Sequence, residues 1–337
     1  MSPQPDVPAL LTAFGLHRVE DVRATDSELD RTWLVRTAEG GVVLKLSPPG
    51  SDAPRMQSGL LDRVAAADPR LPVPRVLRTP DGAALVSSPA GTAWLSTLLP
   101  GDALDTTVPT AALVGEIAAL QARLLTALAG TDPRTAGVPR VHEWDIDAVV
   151  AHEHLIDRHL GPALAPTAHA VVAAYREDVG PRRPSLPRQV LHADLNLSNV
   201  LVTSGHVTGI IDFGDAVHAP RVHDVALTAC YLAIALGDLD DPVVLRYRER
   251  AAALVRLTAQ ERALLPLLAL ARLVIALVLG REQARRAPAR AAYALRYDAP
   301  AAALLAGVAE RGLPARLPSA PVRPRATSAH ARKKASL

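Results

Sequence analysis

The sequence predicts an α+β protein with two lobes: a small antiparallel sheet carrying one helix, then a mostly helical lobe with one embedded β-hairpin. Three observations support this fold class. The chain has 337 residues, of which 49% are apolar, so it can bury more core than one ordinary domain. Short β-rich runs fall within the first 87 residues, and helical spacing dominates afterwards. Residues 189–212 are the one β-like segment of the second half.

The first lobe, residues 1–86, is predicted to be an N-terminal helix followed by a five-stranded sheet. Its strands are expected at Arg18–Arg23, Thr32–Arg36, Gly41–Leu46, 71–77 and 83–86. Apolar residues at helical spacing predict the one helix that the sheet carries, at Pro54–Ala66. Residues 87–91, Ser-Ser-Pro-Ala-Gly, are predicted to be the hinge between the lobes.

The second lobe, residues 92–312, is predicted to be mostly helical. Helical spacing occurs at Leu113–Leu128, Ile146–Leu160, Pro166–Tyr175, Asp224–Leu236, Pro242–Arg256, Ala259–Arg281 and Pro300–Glu310. One stretch, Ala263–Gly280, is apolar enough to raise the question of a membrane span. Arg272 lies near its middle, and a central arginine costs about 2.5–3.5 kcal/mol in a membrane. We therefore predict a buried helix and no membrane association.

Residues 313–337 are predicted to form a disordered, proline-rich basic tail. They hold six Lys or Arg residues and no acidic residue, so the net charge of +3 for the chain becomes −3 for residues 1–312. The basic character belongs to the tail and not to a nucleic-acid-binding face, and no nucleic-acid partner is expected.

Cysteine usage and the N-terminal residues predict a cytoplasmic protein. Cys230 is the single cysteine, which excludes an intramolecular disulfide framework and a zinc cluster built from cysteines. The first residues have neither the basic region nor the long apolar region of an export signal.

Polar residues cluster at the two ends of the embedded hairpin. Its strands are Val200–Val202 and Val207–Ile211, joined at Ser204-Gly205. Because a hairpin brings its outer ends to one place, the following side chains are expected to meet: His192, Asp194, Asn196, Asn199, Asp212 and Asp215.

The spacing of this cluster indicates phosphoryl transfer. The pattern His-x-Asp-x-x-x-x-Asn is followed, 13 residues after its asparagine, by Asp-Phe-Gly. Phosphoryl transfer needs one carboxylate near the acceptor hydroxyl, and a carbonyl oxygen with a second carboxylate for Mg²⁺. Hard oxygen ligands suit that ion.

Rare residue types support the same site. Both asparagines of the chain lie in the hairpin segment, and one of its two phenylalanines is Phe213 of Asp-Phe-Gly. The only lysine outside the tail is Lys45, on the predicted third strand. Since the chain uses arginine nearly everywhere else, this lysine indicates a site that needs a compact point charge, such as nucleotide phosphates.

Four motifs carry a resemblance to a known family: IDFGDAVHAPRVHDVA, SELDRTW, DPRLPVPRVL and YALRYDAPAAALL. With the hairpin pattern, they make the chain resemble the aminoglycoside phosphotransferase family, in particular its hydroxylysine-kinase-like branch, over about residues 5–310. The resemblance implies a bilobal protein-kinase-like fold that uses ATP or GTP with Mg²⁺.

The resemblance also implies roles for individual residues. Asp194 would be the catalytic aspartate, and Asn199 and Asp212 the Mg²⁺ ligands. His192 would brace the catalytic loop, and Asp224 would be a structural aspartate beneath it. Nucleotide contacts are implied for Lys45, Ser27, Arg31, Thr32, Val86 and Ser88.

Two features depart from the kinase pattern. The turn at residues 27–32 lacks the glycines that cover the phosphates in protein kinases, so backbone N–H groups and hydroxyls would have to serve. Gln57 stands where many kinases have a glutamate, and a neutral amide would anchor Lys45 more weakly.

Two residues keep alternative interpretations. Asp215 either contacts a second Mg²⁺ or the acceptor, or closes the turn. Arg272, inside an apolar helix, needs a partner because an unpaired buried charge is prohibitive. That partner is either a carboxylate of the protein, such as Asp215 or Asp224, or the carboxylate of an amino-acid-like acceptor.

The predicted function is a small-molecule kinase that transfers the γ-phosphoryl group to an alcohol of an amino-acid-like, amino-alcohol or antibiotic acceptor. A catalytically silent, nucleotide-binding regulator is the alternative, suggested by Gln57 and the missing glycines. A protein kinase is disfavoured, because only eight residues separate Asp-Phe-Gly from His223-Asp224. Neither the acceptor nor the oligomeric state follows from the sequence.

Overall fold

The N-terminal sheet has six strands, one more than predicted. The computed structural model describes residues 4–25 and 30–314, and its strands in this sheet are β1 (Asp21–Thr25), β2 (Arg31–Thr37), β3 (Gly40–Ser47), β4 (Val76–Leu77), β5 (Leu85–Ser88) and β6 (Gly91–Thr97). All pairs are antiparallel, in the order β1-β2-β3-β6-β4, with β5 also paired to β6. The strand missed from sequence is β6, which joins β4 and β5 to the rest of the sheet.

The predicted hinge at residues 87–91 is a hairpin turn. Ser88 pairs with Gly91 across this turn, so β5 and β6 are consecutive strands of one sheet. The interpretation was wrong because proline and glycine mark a tight turn and a linker equally well. The first lobe therefore extends to Thr97 and not to residue 86, and the chain enters the second lobe through residues 98–101.

Two helices pack against the sheet in different ways. Leu10 and Leu11 of α1 (Val7–Ala13) join the apolar core of the sheet, together with Val35, Val42 and Leu44. The inner face of α2 (Ala53–Ala67) instead belongs to the large core of the second lobe. Helix α2 therefore fastens the sheet to the helical lobe.

The second lobe is mostly helical, as predicted. Its helices are α3 (Ala111–Leu128), α4 (Ile156–His159), α5 (Gly161–Ala174), α6 (Val222–Leu236), α7 (Pro242–Leu254), α8 (Ala259–Arg286), α9 (Ala291–Ala294) and α10 (Asp298–Arg311). The single helix predicted at Ile146–Leu160 is wrong: two 3₁₀ turns precede the short α4. Polar contacts hold the first of these turns, since Tyr175 Oη and Arg183 Nε both donate to Asp147 at 2.5 Å.

The longest helix, α8, runs through the core of this lobe. Thr258 and Glu261 form a capping box at its start. Within the described residues, α8 and α3 are the two helices long and apolar enough to cross a membrane, and their most apolar windows are 83% and 50% buried inside the protein. The packing of α8 agrees with the prediction of a buried helix.

Two small β-ladders frame the embedded segment. The predicted hairpin is confirmed as β9 (Val200–Thr203) and β10 (His206–Ile210), and β7 (Asp102–Ala103) extends it. A second ladder pairs β8 (Arg188–Leu191) with β11 (Val217–Pro220). The loops 192–199 and 211–216 each run from one ladder to the other, so they lie side by side. The predicted tail lies outside the described residues, apart from Leu313 and Pro314.

We expect Gly91→Ala to destabilise the sheet far more than Gly40→Ala. Both glycines have left-handed φ, +138° and +137°, so the backbone strain of an alanine is matched. A Cβ atom at Gly91 would overlap the carbonyl oxygen of Ser47, whereas nothing lies within 4 Å of one at Gly40. Denaturant titration should show a loss of unfolding free energy at least about 2 kcal/mol larger for Gly91→Ala. Equal losses would contradict the close approach of β6 to residue 47.

Candidate active site

The loops between the two ladders form the floor of a cleft between the lobes. Lys45 and Gln57 line this cleft from the sheet side, and Asp194, Asn199 and Asp212 line it from the helical lobe. The polar residues predicted to meet at the hairpin ends therefore do so, and the only lysine outside the predicted tail faces them.

The carboxylate of Asp194 is held by both asparagines of the chain. Asn196 Nδ2 donates to Oδ1 at 2.8 Å, and Asn199 Nδ2 donates to Oδ2 at 2.6 Å and to the Asp194 carbonyl oxygen at 2.8 Å. The side chain of Asp194 is 19% exposed. One rotamer of Asp194 is thus fixed toward the cleft by the two side-chain amides.

His192 ties the two loops together. Its ring is buried, and Nε2 lies 3.0 Å from the carbonyl oxygen of Ile211. A carbonyl can only accept, so Nε2 carries the proton, and Nδ1 accepts the backbone N–H of Asp194 at 3.2 Å. The ring meets Phe213 edge to face at 4.7 Å. Burial lowers the pKa of His192 to about 4, so the ring is neutral at pH 7.

Asp224 of α6 supports the catalytic loop from below. Its carboxylate accepts the backbone N–H groups of Ala193 at 2.8 Å and of His192 at 3.3 Å. Ala193 has φ of +62°, a conformation that is strained for a residue with a Cβ, and these two hydrogen bonds stabilise it. Burial raises the pKa of Asp224 to about 7, although both backbone N–H groups oppose the shift.

Asp212 faces Lys45 across the cleft. Lys45 Nζ lies 3.4 Å from Asp212 Oδ1, which also accepts the N–H of Gly214 at 3.3 Å. Burial alone would raise the pKa of Asp212, but Lys45, this N–H group and His192 outweigh it and hold the pKa below its ordinary value. Asp212 is therefore an ionised carboxylate in the cleft, and its φ of +65° is a strained conformation for a residue with a Cβ.

A polar network extends from Lys45 to Asp30, which also lines the cleft. Lys45 Nζ lies 3.4 Å from Gln57 Oε1, and Gln57 Nε2 lies 3.5 Å from Asp30 Oδ2. Ser47 Oγ donates to the other oxygen of Asp30 at 2.5 Å. Sequence reasoning missed Asp30, although it lies within the SELDRTW motif. Gln57 thus connects the ammonium group to a carboxylate, even though it carries no charge itself.

Asp194 is surrounded by more negative than positive charge. Burial and the charge of Asp215 raise the pKa of Asp194 well above its ordinary value, Asp212 adds to the rise, and Arg272 opposes it. A carboxylate with a raised pKa is a stronger base than an exposed one.

The donor set fits Mg²⁺ at Asn199 and Asp212. The N–H of Ile211, next to Asp212, donates to the Asn199 carbonyl oxygen at 3.0 Å, so the two residues adjoin. Because Asn199 Nδ2 is engaged with Asp194, Oδ1 is the atom of its amide that could serve as a metal ligand. An amide oxygen and an ionised carboxylate are hard ligands that leave positions for phosphate oxygens and water.

A second cluster with metal-ligating side chains lies elsewhere in the helical lobe. Ligand atoms of Asp145, Asp147 and His223 lie within 4.8 Å of one another. His223 Nδ1 is 2.9 Å from Asp145, and Asp147 already bonds to Tyr175 and Arg183. These contacts account for the cluster as a buried polar network.

The predicted nucleotide contacts are met only in part. Thr32 lines the cleft, and its buried Oγ1 has no hydrogen-bond partner among the described residues, whereas Arg31 is exposed outside the cleft. Val86 and Ser88 lie on β5, which pairs with β6, and they are not among the residues that line the cleft, so their nucleotide contacts stay a prediction. Residues 96–99, at the true crossing between the lobes, line the cleft in their place. Ser27 lies outside the described residues.

Arg272 lies at the other end of the cleft floor. It is 2% exposed, and its Nη2 donates to Tyr231 Oη at 3.1 Å and lies 4.0 Å from Asp194 Oδ1. A carboxylate of the protein therefore lies near Arg272, as one of the two alternatives expects, but it is that of Asp194. Asp224 bonds to the loop 192–199, and Asp215, 3.7 Å from His142, acts on Arg272 through its charge.

Comparison with known proteins gives one family and several relatives. The model of the phosphotransferase enzyme family, abbreviated APH, matches residues 21–264. A homoserine kinase of Pseudomonas aeruginosa is 31% identical over 229 residues, which cover 65% of this chain and 67% of that enzyme. A homoserine kinase of Methylobacillus flagellatus is 29% identical over 222 residues, covering 64% and 65%.

Solved structures show the same fold at low identity. An aminoglycoside phosphotransferase from Alicyclobacillus acidocaldarius superposes with a TM-score of 0.62 at 16% identity, covering 92% of this chain and 97% of the other. The microcompartment-associated aminopropanol kinase superposes with a TM-score of 0.59 at 20% identity, covering 91% of this chain and 98% of the other. The GDP and kanamycin complex of APH(2″)-IIIa gives 0.61 at 15% identity, covering 90% and 98%. The predicted bilobal α+β fold is thereby confirmed.

We expect His192 to make stability fall with acid. A buried base whose pKa drops from 6.5 to about 4 on folding favours the folded state above pH 6.5, and this contribution is lost as pH falls to 4. The loss amounts to about 3 kcal/mol. His192→Gln removes this titrating group. The difference in unfolding free energy between wild type and variant, measured by denaturant titration, should therefore decrease from pH 7 to pH 4.

Asp224, whose pKa is raised to about 7, changes stability with pH in the opposite direction. It is present in both wild type and variant, so its contribution cancels in the difference between their unfolding free energies. Substitution of the exposed His17 by glutamine provides the control. A gap that stays constant across this pH range would contradict a buried neutral His192.

Proposed function

The chain belongs to the phosphotransferase enzyme family, and we propose that its cleft transfers the γ-phosphoryl group of ATP or GTP to an alcohol positioned by Asp194. The protein is a small-molecule kinase. The observation that carries the residue assignment is the fixed carboxylate of Asp194 in one cleft with Asp212 and Lys45.

The sheet side of the cleft would bind the nucleotide. Lys45 offers a compact positive charge to the phosphates, and its contacts with Gln57 and Asp212 hold it in the cleft. The unpartnered hydroxyl of Thr32 offers a further donor. Asn199 and Asp212 would hold Mg²⁺, which when bound neutralises charge on the transferred phosphoryl group.

Asp194 would orient the acceptor hydroxyl and accept its proton. The two asparagine amides fix the direction of the carboxylate, so little orientation is lost when the acceptor binds. Its raised pKa strengthens it as a base, and Arg272, 4.0 Å away, supports the ionised form.

The acceptor is proposed to be a small hydroxylated metabolite. The relatives named above are kinases of homoserine, and one structural neighbour is a kinase of aminopropanol. We place the enzyme in the cytoplasm, where the nucleotide is available. The alternative of a silent regulator loses its main support, because Gln57 connects Lys45 to Asp30.

We expect Asp194→Asn to retain nucleotide affinity but to lose about 10²–10⁴-fold in kcat, the range of acid–base and positioning groups. Asp215→Asn is the matched control, a second carboxylate of the same cleft. Steady-state kinetics and nucleotide titration measure both. If Asp215→Asn lost this much kcat and Asp194→Asn did not, the base would be Asp215.

We expect Lys45→Arg to lower kcat/KM for the nucleotide almost as much as Lys45→Ala does. The ammonium group lies 3.4 Å from both Gln57 and Asp212 and 5.8 Å from the ring of Trp94, so a broader planar guanidinium would displace the phosphates or these neighbours. Steady-state kinetics should place the damage in kcat/KM for the nucleotide, with the KM of the acceptor little changed. Near-normal kcat/KM for ATP in the arginine variant would remove Lys45 from the site.

A further inference from the structure

Arg272 is a buried cation with unused hydrogen-bonding capacity. It extends from α8 to the cleft, where it is 2% exposed. Its Nε and Nη1 atoms have no hydrogen-bond partner among the described residues, and only Nη2 bonds to Tyr231. A buried guanidinium with two unsatisfied nitrogen atoms is costly, so an additional hydrogen-bond acceptor at this point would stabilise it.

The aromatic rings around Arg272 fix its plane. The guanidinium carbon lies 5.0 Å from the ring of Trp144 and 5.4 Å from the ring of Tyr231, and both residues line the cleft. The two rings lie close to the planar group, and only the hydroxyl of Tyr231 accepts one of its N–H donors, so Nε and Nη1 keep no partner among the described residues. This arrangement suits a planar anion that accepts two parallel hydrogen bonds.

The carboxylates of the protein near Arg272 are engaged elsewhere. Asp194, its only ion-pair partner among the described residues, is 4.0 Å away and accepts from two asparagine amides. Asp215 lies beside His142, and Asp224 beneath the catalytic loop. None of them supplies two short hydrogen bonds to the guanidinium edge.

We propose that Arg272 binds a carboxylate of the acceptor, so that the acceptor is a small hydroxy acid of the amino-acid type. This inference rests on the proposed kinase function and narrows its acceptor. Because Arg272 Nη2 lies 4.0 Å from Asp194 Oδ1, one small molecule can place its hydroxyl at Asp194 and its carboxylate at Arg272. A polycationic aminoglycoside offers no such group.

Pairs of acceptors that differ only by a carboxylate test this assignment. Serine and ethanolamine, threonine and 1-amino-2-propanol, and homoserine and 3-amino-1-propanol are such pairs, and kanamycin is a further acceptor without a carboxylate. ADP or GDP release measures kcat/KM for each compound with the full chain. We expect wild type to prefer the carboxylate member of at least one pair by about 10-fold to 100-fold, as a charge-assisted hydrogen-bonded contact provides.

Arg272→Met should remove this preference. Methionine has similar length and fits between two aromatic rings, and Arg272→Lys, which keeps the charge but loses the planar fork, should give an intermediate preference. The matched control is Arg296→Met, at an arginine that also lines the cleft but is exposed and stacks on Tyr293 and Tyr297. That variant should retain the preference. Melting temperature and nucleotide affinity check that each variant folds.

The outcomes separate the two proposals. If Arg272→Met lowered kcat/KM equally for both members of a pair, the arginine would contact the phosphoryl group, and the carboxylate assignment would be wrong. Loss of the preference in Arg296→Met alone would move the anion site to that residue. If the wild type phosphorylated amino alcohols or kanamycin, and no acceptor with a carboxylate had a higher kcat/KM than its partner without one, the inference would be refuted and the kinase function would still hold. No turnover of any compound would refute the kinase function. The carboxylate site would then be tested by calorimetry with 2-aminobutanoate and propylamine, which differ by a carboxylate and lack the hydroxyl. Equal affinity for these two compounds would refute the carboxylate site.

Discussion

The carboxylate of Asp224 under the catalytic loop is the contact on which the geometry of the cleft depends. It accepts the backbone N–H groups of His192 and Ala193, and so holds a left-handed turn in a residue that has a Cβ. His192 passes this constraint to the second loop through Ile211, one residue before the left-handed Asp212. The two loops therefore occupy one relative position, and Asp194, Asn199 and Asp212 point into the same space.

The sequence was most informative where chemistry restricts the residue type. The hairpin, its polar ends and Lys45 could be predicted because few other arrangements need those residues at that spacing. The lobe boundary could not, since Pro89 and Gly91 are equally suited to a hairpin turn, and β6 became visible only through its pairing with β3 and β5. Val86 and Ser88 lie on β5, the strand that precedes this turn.

Long-range contacts limited the remaining predictions. Apolar periodicity at residues 146–160 suggested a helix, but Tyr175 and Arg183 bind Asp147 and favour 3₁₀ turns there. Asp30 was missed because its partners, Ser47 and Gln57, are 17 and 27 residues away in the chain. Many kinases place a carboxylate on the helix after the lysine; here Gln57 stands on that helix and links Lys45 to the carboxylate of Asp30.

The packing of α2 has a consequence for how rigid the cleft is. Leu60, Leu61 and Val64 belong to the same apolar core as α3, so a rigid swing of the two lobes about residues 98–101 would expose them to water. Exposing one such side chain fully costs about 1.5–3 kcal/mol. Wide opening is therefore disfavoured, and the spacing between Lys45 and Asp212 is set largely before any ligand binds. Such preorganisation lowers the entropy lost when ligands bind between the lobes.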